Sequence, residues 1–367
     1  MKTFYLFFLS SALALSAAGR ARNVILFIGD AGGIPALHAA SIHGFNEPNK
    51  LFVQNMPHMG LMDTSAAGEW VTDSAAAMSA IVTGQKTDNE VLSKSAAAGG
   101  KGRVPLKTIL EYAEERGLWT GLITNMSIFD ATPAACYAHV DKRSQTLEIA
   151  DQALRPQFGD GPELFIGADR KAVLAAAAKQ GIDVESRFRE KGYGVYDTLG
   201  AIPAGASRVF ALLDGDYDLG AAVERAIATL SRNRKGFFLM VEWDVHTLNL
   251  RRGLDRALVL DGVVRRTAER GRKDTLIVFA ADHSYDIRVR AGRKDAPLLP
   301  DAAAPAPRRP NVRVEDGHTG EQVLVAAQGP GSERVRGFFA NKDLFRIMMA
   351  AYGWRPQPVT ERSTGTR

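Results

Sequence analysis

Four short, nearly continuous apolar runs punctuate this chain, and each gives way to polar residues at its carboxyl end. Asn23–Gly29 (NVILFIG) runs into Asp30, and Leu118–Thr124 (LWTGLIT) leads through a short loop to Asp130. Phe237–Val241 (FFLMV) runs into Glu242, Asp244 and His246, and Thr275–Ala281 (TLIVFAA) runs into Asp282 and His283. Runs of this length and uniformity predict strands covered on both faces, as in a parallel sheet. Between them, apolar positions recur at helical spacing over Val104–Arg116, Leu219–Ser231, Gly253–Glu269 and Lys342–Tyr352, and the alanine-rich Ser74–Val82 stops at Gly84. The alternation predicts an α/β fold built on a mainly parallel sheet. Functional residues of such sheets gather where the carboxyl ends of the strands meet loops. Four strands delivering acidic residues and histidines to that edge therefore predict a metal site.

Two stretches read as additions to this core. Residues 154–235 hold mixed elements, among them Glu163–Gly167 and Lys171–Lys179, and Arg288–Arg313, rich in Ala, Pro and Arg, reads as a long exposed loop. The expectation is one domain over residues 19–367, with insertions around 154–235 and 288–313. The first twenty residues differ in kind. Lys2, the apolar run Phe4–Leu15, the small residues Ser16, Ala17 and Ala18, and then Arg20 predict a secretory signal peptide over residues 1–18. The mature protein is thus expected to be periplasmic or secreted, without a membrane span. Cys136 is the only cysteine, so no internal disulfide forms and stability must come from the core and from bound metal.

Composition narrows the picture only a little. Hydrophobic residues make up 46% of the 367 positions and charged residues 24%, as in an ordinary globular protein. The net charge of +5 helps attract anionic substrates but falls short of the clustered basic stripe of a nucleic-acid binder.

The richest chemistry starts at Val71-Thr72-Asp73-Ser74-Ala75-Ala76-Ala77. A serine followed at once by small residues opens a helix where backbone N–H groups and the helix dipole favour an anion. Alone, such a string is more often an ordinary helix cap. Its context gives it another meaning. VTDSAAAMSAIVTG resembles the nucleophile motif of the alkaline phosphatase family, and further landmarks follow in the family's order. FIGDAGG resembles its first metal-binding strand and turn. DATPAACYAHVDKR resembles the segment that supplies a carboxylate and a threonine to a third metal and then a phosphate-binding arginine. FLMVEWDVH, FAADH and EDGHTGEQV resemble the three later metal segments, and ELFIGADR resembles a strand before a basic turn. The resemblance spans roughly Asn23 to Trp354.

That resemblance implies a three-layer α/β/α sandwich with a central, mainly parallel β-sheet, and an alkaline phosphatase hydrolysing phosphate monoesters through a phosphoserine on Ser74. It implies two Zn²⁺ and one Mg²⁺. Asp30, Asp282 and His283 would bind the zinc nearest Ser74, and Asp244, His246 and His318 the second. Asp130, Thr132 and Glu242 would hold magnesium, with Asp30 bridging toward it. Arg143 would clamp phosphate and Asp73 would orient Arg143. The residue types suit that chemistry, because zinc lowers a hydroxyl's pKa, magnesium prefers oxygen ligands, and an arginine fork grips two phosphoryl oxygens. His38, His43 and His58 match no motif and read as surface or packing residues, and His139 as structural.

Two departures from the family pattern stand out. Its usual E-x-x-x-x-D-x-x-x-H segment is here the compact Glu242, Asp244, His246 (E-x-D-x-H), and Ala31 stands where glycine usually follows the aspartate. Alternate residues of an extended strand share a face, so Glu242, Asp244 and His246 are expected to point together. The competing readings are a phosphodiesterase, phosphonate or sulfate ester hydrolase of the same superfamily, and a non-catalytic metal- or phosphate-binding protein. The C/S-x-P-x-R signature of a sulfatase is absent around Ser74. Homodimers are common among similar proteins, but no self-complementary patch is readable here.

Overall fold

The structure, a computed structural model, describes residues 19–97, 102–301 and 309–356. The signal-peptide expectation and residues 302–308 of the Ala/Pro/Arg-rich segment lie outside them. In chain order, the first half contains β1 (Asn23–Asp30), α1 (Ile34–Phe45), β2 (His58–Asp63), α2 (Ser74–Thr83), α3 (Ile109–Glu115), β3 (Trp119–Ile123) and α4 (Ala131–Ala134). The middle adds α5 (Thr146–Leu154), β4 (Leu164–Gly167), α6 (Arg170–Ala178), α7 (Val184–Glu190), β5 (Gly194–Tyr196), β6 (Val209–Leu212) and α8 (Leu219–Leu230). Then come β7 (Phe237–Asp244), α9 (Leu250–Arg270), β8 (Thr275–Ala281), β9 (Ser284–Val289), β10 (Val312–Thr319), β11 (Val323–Gln328), β12 (Gly337–Ala340) and α10 (Asn341–Tyr352).

Ten strands form one sheet in the order β12-β2-β11-β8-β1-β7-β3-β4-β6-β5. Only β11 runs antiparallel to its neighbours, β2 and β8. The strands read from continuous apolar runs occupy the centre, β8-β1-β7-β3, where both faces are covered. Along β1 the side chains alternate between two cores. Val24, Leu26 and Ile28 join α2, α3 and α10 on one face, while Ile25 and Phe27 join α1, α8 and α9 on the other. The result is the three-layer α/β/α sandwich with a mainly parallel sheet.

Register sets up the site. Asp30 at the end of β1 lies opposite Asp244 at the end of β7, and Gly29 lies opposite Ala281, the last residue of β8. Three neighbouring strands therefore deliver Asp30, Asp244 and Asp282 to one edge. β9 and β10 stand apart as a two-stranded antiparallel ribbon that starts directly after β8.

Some elements differ from the sequence expectation for visible reasons. The helix expected from Val104 begins at Ile109, since Pro105 bridges to Lys94 and Thr108 caps α3 in a box with Glu111. Residues 154–235 contribute β4, β6 and β5 to the main sheet rather than decorating it. The segment expected to be an exposed loop over Arg288–Arg313 is tied down by Leu298, Leu299 and Val312, whose side chains are buried in the second core.

Candidate active site

The nucleophile candidate sits at a built helix start. Asp73, in extended conformation, caps α2 by accepting from the Ala76 N–H at 2.9 Å. Every residue of α2 is buried, which explains its run of alanines, and the helix stops at Gly84 in left-handed conformation (φ 78°). A Cβ on Gly84 would stand 2.5 Å from the Phe345 ring, so neither space nor backbone admits another residue. Asp73 also uses its second oxygen, accepting from Glu90 N–H at 3.0 Å and from Arg143 Nη1 at 3.3 Å. The other arm of Arg143 donates to Asp130 Oδ1 at 3.0 Å. Two carboxylates thus hold one guanidinium, a quarter exposed, beside the helix start.

Ser74 Oγ lies 3.3 Å from His283 Nε2. The other ring nitrogen of His283, Nδ1, donates to the Ser284 carbonyl at 3.1 Å, leaving Nε2 with a free lone pair in the neutral ring. That lone pair faces Asp30 Oδ1 at 3.2 Å and Asp282 Oδ2 at 3.5 Å, and neither oxygen receives an aligned hydrogen bond. Asp282 Oδ1, by contrast, accepts from Ala31 N–H and His283 N–H, at 3.1 and 2.9 Å. Ala31 reaches that carboxylate from a left-handed conformation (φ 63°), which a residue with a Cβ rarely adopts. Several buried acceptors therefore converge with no donor among them. Such a set is costly unless a proton or a cation sits at its centre.

Without a cation, protons would have to fill that role. Burial pushes Asp282 up to about 6, aided by the charge of Asp30. Burial opposes a charge on His283, but Asp282 and Asp30 outweigh it and raise the imidazole to about 9. Burial likewise opposes charge on Asp30. The imidazole of His283 beside it and the charges of His246 and Arg143 prevail, holding that carboxyl well below the usual range.

A second group forms next to the first. His246 Nδ1 faces Asp244 Oδ1 at 2.7 Å and Asp30 Oδ1 at 3.7 Å. His318 arrives on the ribbon strand β10, and its Nδ1 donates to the Thr72 carbonyl at 2.9 Å, leaving Nε2 free. Burial and the charges of His283 and His246 lower His318 further, which favours the neutral ring that ligation requires. The His283 and His318 rings stack at 3.7 Å, and Tyr285 meets His246 edge-on at 5.1 Å. Among the described residues, three sets of histidine and carboxylate atoms meet at ligand spacing: Asp30, Asp282 and His283; Asp30, Asp244 and His246; and His246, His283 and His318.

The residues assigned to a third metal are less closely drawn together. Asp130 and Glu242 belong to none of those sets. Asp130 Oδ1 accepts from Arg143 and from Ala131 N–H, and Glu242 accepts from the Thr124 hydroxyl. Thr132 is buried on α4. Still, burial and the charges of Asp30, Asp130 and Asp282 push Glu242 far above the ordinary carboxyl range. A buried carboxyl raised by three neighbouring carboxylate charges marks a pocket short of positive charge. The strand face expected to align Glu242, Asp244 and His246 divides instead. β7 ends at Asp244, so His246 lies beyond the strand and pairs with Asp244, while Glu242, inside β7, accepts from Thr124.

Several contributors escaped sequence reasoning. Thr124 and Asn125 follow β3, and Asn125 Oδ1 accepts from Asp244 N–H at 2.7 Å. Arg256, on α9, grips Asp244 Oδ2 at 2.6 Å. The polar pair at the strand end was a usable signal for the first two. Nothing in local spacing ties Arg256 to Asp244.

Fold and site together define a metal-dependent hydrolase of the alkaline phosphatase superfamily. The profile described as alkaline phosphatase matches residues 21–174 and 214–296. The chain belongs to the alkaline phosphatase family. It is 29% identical to streptomycin-6-phosphate phosphatase of Streptomyces griseus, over 94% of each chain. It is 28% identical to alkaline phosphatase of Escherichia coli K12, over 91% of this chain and 86% of that one. In fold it is similar to alkaline phosphatase of Thermus thermophilus, with a TM-score of 0.77, 23% identity, and coverage of 96% and 97% of the two chains. Alkaline phosphatase of the Antarctic bacterium TAB5 gives 0.76 at 24% identity, over 92% and 99%.

Proposed function

We propose that this chain is an alkaline phosphatase that hydrolyses phosphate monoesters through a phosphoserine on Ser74. One observation carries the reading: Ser74 Oγ borders a cluster of donorless acceptors, Asp30, Asp282 and His283, and the same helix start is flanked by Arg143. Asp73 and Asp130 hold the guanidinium so that its fork meets two phosphoryl oxygens. The N-terminus of α2 adds its own partial positive charge to that anion. Ser74 then attacks phosphorus, the ester oxygen leaves as alcohol, and water cleaves the phosphoserine to release inorganic phosphate.

Asp30, Asp282 and His283 would hold one Zn²⁺, and His246 and His318 with Asp244 a second. Asp130, Thr132 and Glu242 would take Mg²⁺, since all three offer oxygen and the pocket lacks positive charge. Bound there, such ions supply a lowered hydroxyl pKa and stabilisation of the leaving oxygen. The Streptomyces griseus relative is named for a monoester, which agrees with this substrate class. In the same reading, residues 1–18 direct export of a single domain. N-terminal sequencing of exported protein should then start near residue 19.

The decisive experiment is Ser74→Ala. Turnover of p-nitrophenyl phosphate is expected to vanish while metal content stays near that of the wild type. Acid quenching with labelled phosphate should trap label on Ser74 of the wild type. Undiminished turnover in the variant would refute the proposal, and preferential turnover of a diester or sulfate ester would reassign the substrate class.

A further inference from the structure

Asp244 differs from the other two strand-end aspartates in one respect: none of its oxygens is bare. Oδ1 accepts from the His246 N–H at 2.9 Å and meets His246 Nδ1 at 2.7 Å. Oδ2 accepts from Arg256 Nη1 at 2.6 Å, and the same nitrogen reaches the Asp244 carbonyl at 3.4 Å. Asp30 Oδ1 and Asp282 Oδ2 have no such partner. Arg256 is itself held in place. Its Nη2 donates to Asp216 Oδ1 at 2.6 Å, and Arg252, one turn earlier on α9, braces Asp216 at 3.2 Å. The pair is largely enclosed, with side-chain exposures of 11% for Arg256 and 14% for Asp244, so water screens it little.

We infer that Arg256 is a positioning residue that holds Asp244 against His246, denies it two-oxygen ligation and thereby weakens the second cation site. The inference rests on the two-cation reading above. With Nδ1 of His246 turned to Asp244, the ring offers Nε2 to a metal, the arrangement by which a carboxylate commonly orients a ligating histidine. The guanidinium then acts in two ways. It occupies the oxygen that would let Asp244 bind an ion through both oxygens, and it adds a fixed positive charge next to the ion's place. The Asp30, Asp282 and His283 set has no comparable cation on its bare oxygens, so it is the tighter of the two. The compact E-x-D-x-H segment supplies the reason: β7 runs straight into Asp244, aiming its carboxylate within reach of the second turn of α9.

The test is zinc titration of the full chain after chelator treatment, followed by calorimetry. Wild type is expected to show a tight and a weak site. Arg256→Met, close in bulk and uncharged, should tighten the weak site at least tenfold and leave the tight one unchanged. Arg256→Gln should act in the same direction, and Arg256→Lys, which keeps the charge, should stay near wild type. Arg252→Met, which touches Asp216 but not Asp244, is the control and should bind as wild type does. Circular dichroism of the stripped variants identifies any that fail to fold; if the Met variant is lost, the Gln and Lys pair still separates charge from bulk. Two sites of unchanged or lowered affinity in the neutral variants would overturn the role of Arg256 and leave the catalytic reading intact. A single zinc in wild type and variants alike would overturn the two-cation reading, and this inference with it.

Discussion

At the scale of single residues, the site is a contrast between satisfied and unsatisfied atoms. Arg143 has both arms occupied by carboxylates, Asp73 and Asp130, so its fork is preset before any anion arrives. A lysine there would carry the charge without the geometry. Arg143→Lys is therefore expected to lose about tenfold to a hundredfold in kcat/KM, the loss of one charge-assisted hydrogen bond of roughly 1.5–3 kcal/mol. Inhibition by inorganic phosphate should weaken in parallel, and steady-state kinetics with phosphate as inhibitor would reveal it. The clustering of Asp30, Asp244 and Asp282 was legible because each directly ends or follows a buried aliphatic run that reads as a central strand. Arg256 was not legible, since its partner lies twelve positions away across a turn, and an arginine on the polar side of a helix looks like any solvated one. The positive φ of Ala31 was equally hidden, because a sequence shows an alanine and not the conformation that the Asp282 carboxylate imposes on it.

At the scale of elements, α2 joins packing to chemistry through its cap. Asp73 Oδ1 closes the helix start and Oδ2 holds Arg143, so two substitutions separate the roles. Asp73→Asn keeps a capping oxygen but loses the ion pair, and Asp73→Ala loses both. Both variants should lose activity by tenfold or more. Their unfolding free energies from denaturant titration should differ by on the order of 1 kcal/mol in favour of Asn, the usual worth of a cap. Equal values would mean that the cap contributes nothing to α2. The central strands and the amphipathic α8, α9 and α10 were readable from periodicity because their burial is one- or two-sided and long. The outer strands β2 and β12 were not, since most of their positions are exposed or half-buried rather than part of a continuous buried run. The β9–β10 ribbon was hidden among arginines and prolines, since the residues that bury it, Ile287 and Val312, are spaced among exposed charges.

At the scale of the whole molecule, buried acids away from the site tie folding to pH. Glu114 accepts from the Thr120 hydroxyl and Gly161 N–H, and Glu163 accepts from Thr120 N–H. Burial raises Glu114 to about 8, with the nearby charges of Glu163 and Asp160 adding to it, and burial raises Glu163 to about 7. The folded chain thus keeps protons that the unfolded chain releases near 4.5. Their contribution is fully present below that value and is lost as pH rises through about 7 and about 8. Each group removes about 1.4 kcal/mol per pH unit within its window. Glu114→Gln should flatten the decline, so that stability at pH 9 relative to pH 5 improves by on the order of 4 kcal/mol over wild type. Urea unfolding of chelator-treated protein at the two pH values measures this. An identical decline in both proteins would show that Glu114 is ionised in the fold at neutral pH.

The ribbon that carries His318 has a consequence for how the enzyme ages. It stands outside the ten-stranded sheet, its register slips between Val314 and His318, and His318 touches the loop before Ser74 through Thr72. Most of β10 is exposed or half-buried, unlike the central strands, so this piece opens at a lower free energy than the sheet does. Warming should therefore silence the enzyme before it melts: activity fades while far-ultraviolet ellipticity persists, and cooling with added zinc restores it. Amide exchange should be faster over β9 and β10 than over β1, β7 and β8. Inactivation that coincides with melting at every heating rate would contradict this two-stage decay.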